Sequence, residues 1–241
     1  MGKIIMISSG KDGVGKSTVS ALLAEAYSEK DKSVLIIEFE NGLRSQNIFV
    51  NSSEALFDLD DLIYGRCSLK EAVSSSSLSP NLKVIFGGSS RSRIDSSLFE
   101  PLLLSLADNY DVIIIDTDCN DEIIYTVASY AMYNIIVATN DIAGIKDAKY
   151  VSDLLYQINA PNIRLLINRV VPQYVHHGAT ENLDYCIDTI GAQLIGVVPE
   201  SIDITYATNK GKKLNKKSIS HSIFNNIADR LDGLNIPLSY M

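Results

Sequence analysis

The sequence is poor in cysteine and histidine and has no surplus of positive charge. Its three cysteines, Cys67, Cys119 and Cys186, are odd in number and widely spaced. That excludes a disulfide framework and a C-x-x-C metal site, and points to a reducing, cytoplasmic compartment. The three histidines give an adjacent pair, His176-His177, on a polar stretch that reads as solvated, and a distant His221; they build no metal set of their own. Lys and Arg number 21 against 29 Asp and Glu, a net charge of −8, which argues against a broad nucleic-acid-binding surface. Met1-Gly2 leads straight into an apolar strand, with neither a secretory pattern nor a convincing myristoylation signal. No composition break or solenoid-period repeat divides the chain, so residues 1–241 are expected to form a single domain. A hydrophobic content of 46% is enough for a large core.

What the chain does have is concentrated in Ser9-Gly10-Lys11-Asp12-Gly13-Val14-Gly15-Lys16-Ser17-Thr18. The stretch follows the apolar run Lys3 to Ser8 and opens a helical pattern running from Val19 to Glu29, the strand-loop-helix context of a phosphate-binding loop. Gly10, Gly15, Lys16 and Ser17 fill the pattern G-x-x-x-x-G-K-[ST]. Gly10, Gly13 and Gly15 permit positive φ and let backbone N–H groups face phosphate oxygens, at the positive end of the following helix. Lys16 then neutralises the β and γ phosphates and Ser17 offers a hydroxyl to Mg²⁺. Lys11 is not required by this motif, and a second cation so close to Lys16 would repel it in an empty site.

Along the rest of the chain apolar strands alternate with helices. Ser33 to Ile37 is a run expected of a strand covered on both faces, ending in Glu38-Phe39-Glu40, carboxylates placed where a metal and an attacking water would lie, or else a solvated strand end. Helical spacing follows at 56, 59, 62 and 63 and over Ser68 to Val73, then a flexible polar loop at Ser74-Ser75-Ser76-Ser77 and a strand over Leu82 to Phe86. Arg91 and Arg93 read as exposed loop residues. After a helix over Ser97 to Ala107, the strand Tyr110 to Asp116 ends in an acid, the Walker B form, with Asp116 in reach of Mg²⁺ directly or through water and Thr117 to Asn120 as a switch loop behind it. Further strands are expected over Tyr133 to Ala138, Ile163 to Ile167 and Leu194 to Val197, with helices over Ala143 to Gln157, Glu181 to Ile190 and Ser218 to Leu231. The last carries Ile219, Ile223, Ile227 and Leu231 on one stripe. This alternation predicts an α/β fold, a doubly wound, mostly parallel sheet flanked by helices. Asn168-Arg169 and Pro199-Glu200 lie at strand ends where a base is read; the Asn168 amide either pairs with an adenine edge or caps a turn. Lys210, Lys212, Lys213, Lys216 and Lys217 read as a solvated loop.

Lys11-Asp12-Gly13-Val14-Gly15-Lys16-Ser17 resembles the deviant Walker A motif. Gly42-Leu43-Arg44, the stretch Asp61 to Leu69, the Tyr110 to Asp116 strand, Leu166 to Val170, Ile195 to Glu200 and Thr208 to Gly211 extend the resemblance along nearly the whole chain, to the MinD branch of the MinD/ParA family of P-loop proteins. The resemblance implies an ATP-hydrolysing protein that cycles between ATP and ADP, uses Mg²⁺, and forms a homodimer with ATP in which Lys11 reaches the partner's nucleotide. It implies partner proteins and a role in placing the division septum or another polar assembly. On this reading Gly10 to Thr18, including Asp12, Gly13 and Val14, together with Asn168, Arg169, Pro199 and Glu200, hold the nucleotide. Lys11, Lys16, Glu40 and Asp116 serve catalysis, and Ser17 and Asp116 serve Mg²⁺. A nucleotide-binding scaffold with little hydrolysis and a ParA-like partition protein are the alternatives.

Four departures separate the chain from that pattern. Asp12 replaces a glycine, Glu38-Phe39-Glu40 stands for Asp-x-Asp, and Asp116-Thr117-Asp118-Cys119-Asn120 stands for Asp-[ST]-Pro-Ala-Gly. A carboxylate displaced by a methylene can cost on the order of 10²-fold in rate, so slow turnover is expected. The tail Asp229 to Met241, with two acids, one arginine and Pro237, lacks the basic amphipathic helix of the family, so membrane recruitment is expected to pass through partners.

Overall fold

Successive residues of β1 (Lys3–Ser8) are buried on opposite faces, and both faces are apolar: Ile4 and Met6 join one core, Ile5 and Ile7 another. A strand with helices on both sides needs this, and it explains why the strands read as unbroken aliphatic runs rather than as alternating ones. The computed structural model describes residues 2–39, 45–53, 55–88, 95–117 and 119–238. Glu40, Gly42-Leu43-Arg44, Arg91, Arg93 and Asp118 lie outside them.

After β1 come α1 (Lys16–Ser28), β2 (Val34–Glu38), α2 (Ser45–Phe49), α3 (Leu59–Ile63), α4 (Leu69–Ala72), β3 (Ser74–Ser75), β4 (Leu82–Ile85) and α5 (Ser96–Ala107). Then follow β5 (Val112–Asp116), α6 (Asp121–Ala128), β6 (Tyr133–Ala138), α7 (Ile142–Gln157), β7 (Ile163–Val170) and α8 (Pro172–His176). The chain continues with α9 (Leu183–Ile190), β8 (Gln193–Pro199), α10 (Ile202–Lys210) and α11 (Ile219–Leu231). Among the described residues the strands form one eight-stranded sheet in the order β3-β4-β2-β5-β1-β6-β7-β8, parallel except where β3 meets β4. The mostly parallel, doubly wound sheet expected from the sequence is the one observed.

Helices α5, α6, α7 and α9 cover the face carrying Ile4, Met6, Leu35, Ile37, Ile113 and Ile115, and α1 and α11 cover the other, where Tyr27 and Phe224 are buried. Because β1 lies between β5 and β6, the strand order reverses there. The C-terminal ends of these strands therefore border a crevice where open α/β sheets place their ligands.

Several local expectations are corrected. Ser74 to Ser77 is no free loop: Ser74-Ser75 pairs antiparallel with Lys83 and Val84, the Ser76 hydroxyl donates to the Val50 carbonyl, and Ser77 N–H donates to the Asn51 carbonyl at 2.9 Å. Four serines give no hydrophobic period, so only tertiary pairing makes this edge. Asn168 and Arg169 fall inside β7 rather than past it, at a register irregularity between Ile167 and Val170. Ile219 is exposed while Ile223, Ile227 and Leu231 are buried, so the stripe on α11 starts one turn later. The basic stretch 210–217 is anchored at its centre: Leu214 is buried, and its N–H donates to Glu25 Oε1 at 2.9 Å. His176, the last residue of α8, and His177 after it are exposed, and His221 lies 2.7 Å from Glu29 Oε2. Among the described residues no group of three or more His, Cys, Asp or Glu side chains could hold a metal by itself.

Candidate functional site

The loop after β1 turns into α1 through Gly15, whose φ of 98° lies outside the range a side chain tolerates; Gly13 has φ 79°. There is also no room at Gly15, since a Cβ there would stand 2.3 Å from Asn168 Nδ2. That amide donates to the Val14 carbonyl at 2.7 Å, tying β7 to the loop. Gly15→Ala is therefore expected to destabilise the fold by roughly 1–3 kcal/mol of backbone strain, plus the loss of the Asn168 bond, read as a lowered urea midpoint.

Lys16 begins α1 and is 8% exposed. Its ammonium lies 3.5 Å from Asp12 Oδ1 and 3.3 Å from Cys119 Sγ. Lys11 instead lies 3.5 Å from Asp141 Oδ1, at the N-terminus of α7. The repulsion expected between the two lysines is thus met by separate carboxylates, and Lys11 stays on the surface. Cys119 also contacts Asp12 Oδ1 at 3.3 Å, and burial pushes its thiol upward despite the neighbouring Lys16.

Asp116 closes β5, one register position beside Ile7 of β1 and Glu38 of β2. It is buried, and its Oδ2 accepts from Gln46 Nε2 at 2.8 Å, while Oδ1 has no hydrogen-bond partner among the described residues. Burial raises its carboxyl to about 6, with the Gln46 amide, the Ser17 hydroxyl and the Lys16 ammonium acting the other way. A carboxylate oxygen with acceptor capacity to spare beside the Ser17 hydroxyl suits a hydrated divalent cation, so the residues present fit Mg²⁺. Behind Asp116, the Thr117 hydroxyl donates to the Ile7 carbonyl at 2.9 Å and Asn120 caps α6.

On the other side of the loop Gly15, Thr18, Asn168, Arg169, Pro199 and Glu200 line a cavity of about 280 Å³. Phe49, Ile204, Thr205, Thr208 and Asn209 complete it, contributed by α2 and α10. Arg169 has φ 57°, an uncommon conformation for a residue with a side chain, where β7 slips against β8. Of the residues expected at the base and phosphate sites, the structure brings Thr18 and Gly15 to the same cavity as the strand-end group. Gln46, Ile204 and Thr205 had no motif to mark them, whereas Cys119 lies in the expected switch loop and Thr208 and Asn209 in a stretch that carries the resemblance; α10 buries little beyond Ala207 and Thr208, so its helical period is faint.

Residues 5–214 match the CobQ/CobB/MinD/ParA nucleotide binding domain family. The septum site-determining protein MinD of Synechocystis is 32% identical over 244 residues, covering 98% of this chain and 92% of that protein. The fold superposes on MinD in the MinC:MinD cell division protein complex of Aquifex aeolicus with a TM-score of 0.87, at 27% identity and with 98% of each chain covered. MinD complexed with Mg-ADP from Pyrococcus horikoshii shares the fold at 23% identity, with a TM-score of 0.82 over 96% of each chain. With a lysine after the first loop glycine, an acid at the tip of β5 and this alignment along its length, the chain belongs to the CobQ/CobB/MinD/ParA nucleotide-binding family and, within it, to the MinD-type P-loop ATPases.

Proposed function

We propose that the chain binds ATP in the crevice above β1 and β5, dimerises with it, hydrolyses it slowly, and serves the placement of the division septum or another polar assembly through partner proteins. The observation that carries this is the convergence of Lys16, Ser17 and the buried Asp116, with its unpaired Oδ1, at the start of one helix. Lys16 and the loop amides from Gly10 to Thr18 hold the phosphates, and Ser17 and Asp116 hold Mg²⁺. Bound there, Mg²⁺ neutralises charge on the β and γ phosphates. Asn168, Arg169, Pro199 and Glu200 border the base.

Lys11 is the residue assigned to the partner's nucleotide. Its contact with Asp141 joins two half-exposed side chains, the kind of ion pair worth about 0–1 kcal/mol, so releasing it to cross a dimer costs little. Glu40, the acid assigned to the attacking water, lies outside the described residues. The Synechocystis relative is named for septum placement and the Aquifex neighbour was solved with MinC, which supports the cellular role. No helix among the described residues is long and apolar enough to cross a membrane, and the tail folds back, with Arg230 donating to the Ile236 carbonyl at 2.9 Å.

Light scattering of the full chain tests the reading. A dimer with ATP and Mg²⁺, a monomer with ADP, and a monomer in both for Lys11→Ala are expected; a parent protein monomeric with ATP overturns it. One observation favours a scaffold with little hydrolysis. Glu38, longer than the family's aspartate, is buried and accepts from Ser45 Oγ at 3.0 Å and Gln46 N–H at 3.1 Å, holding the start of α2. ATP turnover no faster than in Lys16→Ala would select that reading.

A further inference from the structure

Gln46 stands in the first turn of α2 with no exposed surface. Its Nε2 donates to the Ser17 carbonyl at 2.9 Å and to Asp116 Oδ2 at 2.8 Å, so both amide protons bridge the start of α1 and the tip of β5. Its backbone N–H is held by Glu38, at the tip of β2. One residue, through its amide and its backbone N–H, thus joins three elements at the crevice.

Packing alone does not explain a glutamine here. Its Oε1 is buried without a hydrogen-bond partner among the described residues, and an unmet buried acceptor costs about 1–3 kcal/mol, which an aliphatic side chain of similar size would avoid. Asp116 Oδ1 is in the same condition. Gln46 Oε1 and Asp116 Oδ1, on two residues already bonded to each other, both keep acceptor capacity to spare beside the Ser17 and Ser20 hydroxyls that lie near the Asp116 carboxyl, and water carried by a metal ion is a donor that would use it. With Oδ2 engaged by Gln46, the Asp116 carboxylate is fixed in its plane and Oδ1 is the oxygen left over.

We propose that Gln46 is a positioning residue for the magnesium side of the site: its amide holds Asp116 against the Ser17 turn, so that the Mg²⁺-dependent part of nucleotide affinity depends on it. The proposal rests on reading Ser17 and Asp116 as the Mg²⁺ pair. Its reach is limited to the metal side, because among the described residues the hydrogen bonds that Gln46 donates go to Glu38, the Ser17 carbonyl and Asp116, and it bonds to neither Lys16 nor the loop N–H groups.

The test is a titration of the full chain with a fluorescent ATP, once with Mg²⁺ and once with EDTA, comparing the gain in affinity that Mg²⁺ brings. In Gln46→Met, which keeps the bulk and loses the donors, affinity in EDTA is expected to stay within about twofold while the Mg²⁺ gain falls about tenfold or more, the scale seen when residues supporting metal ligands are removed. Gln46→Glu, which sets a second carboxylate beside Asp116, is expected to lose the gain as well. An undiminished gain in Gln46→Met overturns the proposal. So does a parallel loss with and without Mg²⁺, the mark of a packing role. If Gln46→Met shows no cooperative melt, Gln46→Glu decides by the same criterion. Ser17→Ala and Asp116→Asn separate the two levels: if they too keep the gain, the magnesium reading itself fails, and if they lose it while Gln46→Met keeps it, only the role of Gln46 falls.

Discussion

Lys16→Ala is expected to weaken ATP binding by roughly 30- to 4,000-fold, corresponding to about 2–5 kcal/mol for removing one member of a buried, hydrogen-bonded charge pair. Among the described residues the ammonium is held by weak partners, Asp12 at 3.5 Å, whose side chain is almost wholly exposed, and the neutral Cys119 thiol at 3.3 Å. Neither is strong enough to compete with phosphate oxygens, so nearly all of the lysine's worth is kept for the ligand. The same contacts predict that the empty protein barely notices the substitution, with an unchanged far-ultraviolet spectrum and a melting temperature close to the parent's. Isothermal titration with ATP and Mg²⁺ measures the loss. A decrease below about threefold would mean that the loop amides and the helix dipole carry the phosphates without the cation.

A local pattern marks this lysine in the sequence and none marks Gln46. A phosphate cradle is made by contiguous residues, and their spacing alone sets the geometry from Gly10 to Ser17. The strands were legible for a related reason: a sheet buried on both faces needs aliphatic residues at every position, so β1, β2, β5 and β6 stand out in the sequence with bounds correct to within a residue or two. Gln46 depends on three elements distant in sequence meeting at one point, and no local pattern records that meeting. The short edge at Ser74-Ser75 and the five-residue α8 fail differently, since neither is long enough to show a period. α6 carries its signals in the sequence, an Asn120 cap followed by Ile123, Ile124, Val127 and Ala128 on one side, but its eight residues make little more than two turns behind the expected switch loop.

Glu25→Gln is expected to stabilise the protein by up to about 3 kcal/mol at pH 8 and to leave it unchanged at pH 4. Glu25 lies in α1 and is 4% exposed. Burial is the main cause that raises its carboxyl from 4.5 to about 7; Glu29 adds to the rise, while the Leu214 N–H, Lys213 and His221 oppose it. The native state therefore binds this proton more tightly than the unfolded chain does. Below about pH 4.5 the group is protonated in both states and stability is complete; as pH rises through 7 the native state must ionise a buried carboxyl and stability falls. Glutamine mimics the protonated form and still offers an oxygen to Leu214. Asp116, raised to about 6, titrates in parent and variant alike and cancels in their difference. Urea unfolding of both proteins at pH 4 and pH 8 reads the effect, and a variant less stable at pH 8 would mean that Lys213 and His221 more than offset the burial of the charge. The position matters because Glu25 joins the two halves of the nucleotide site. Its helix begins at the phosphate loop, and the segment that it holds through Leu214 follows α10, whose Thr205 and Thr208 line the base cavity. The hydrogen bond from Leu214 to this carboxyl thus ties the segment behind the base cavity to the helix that starts at the phosphate loop.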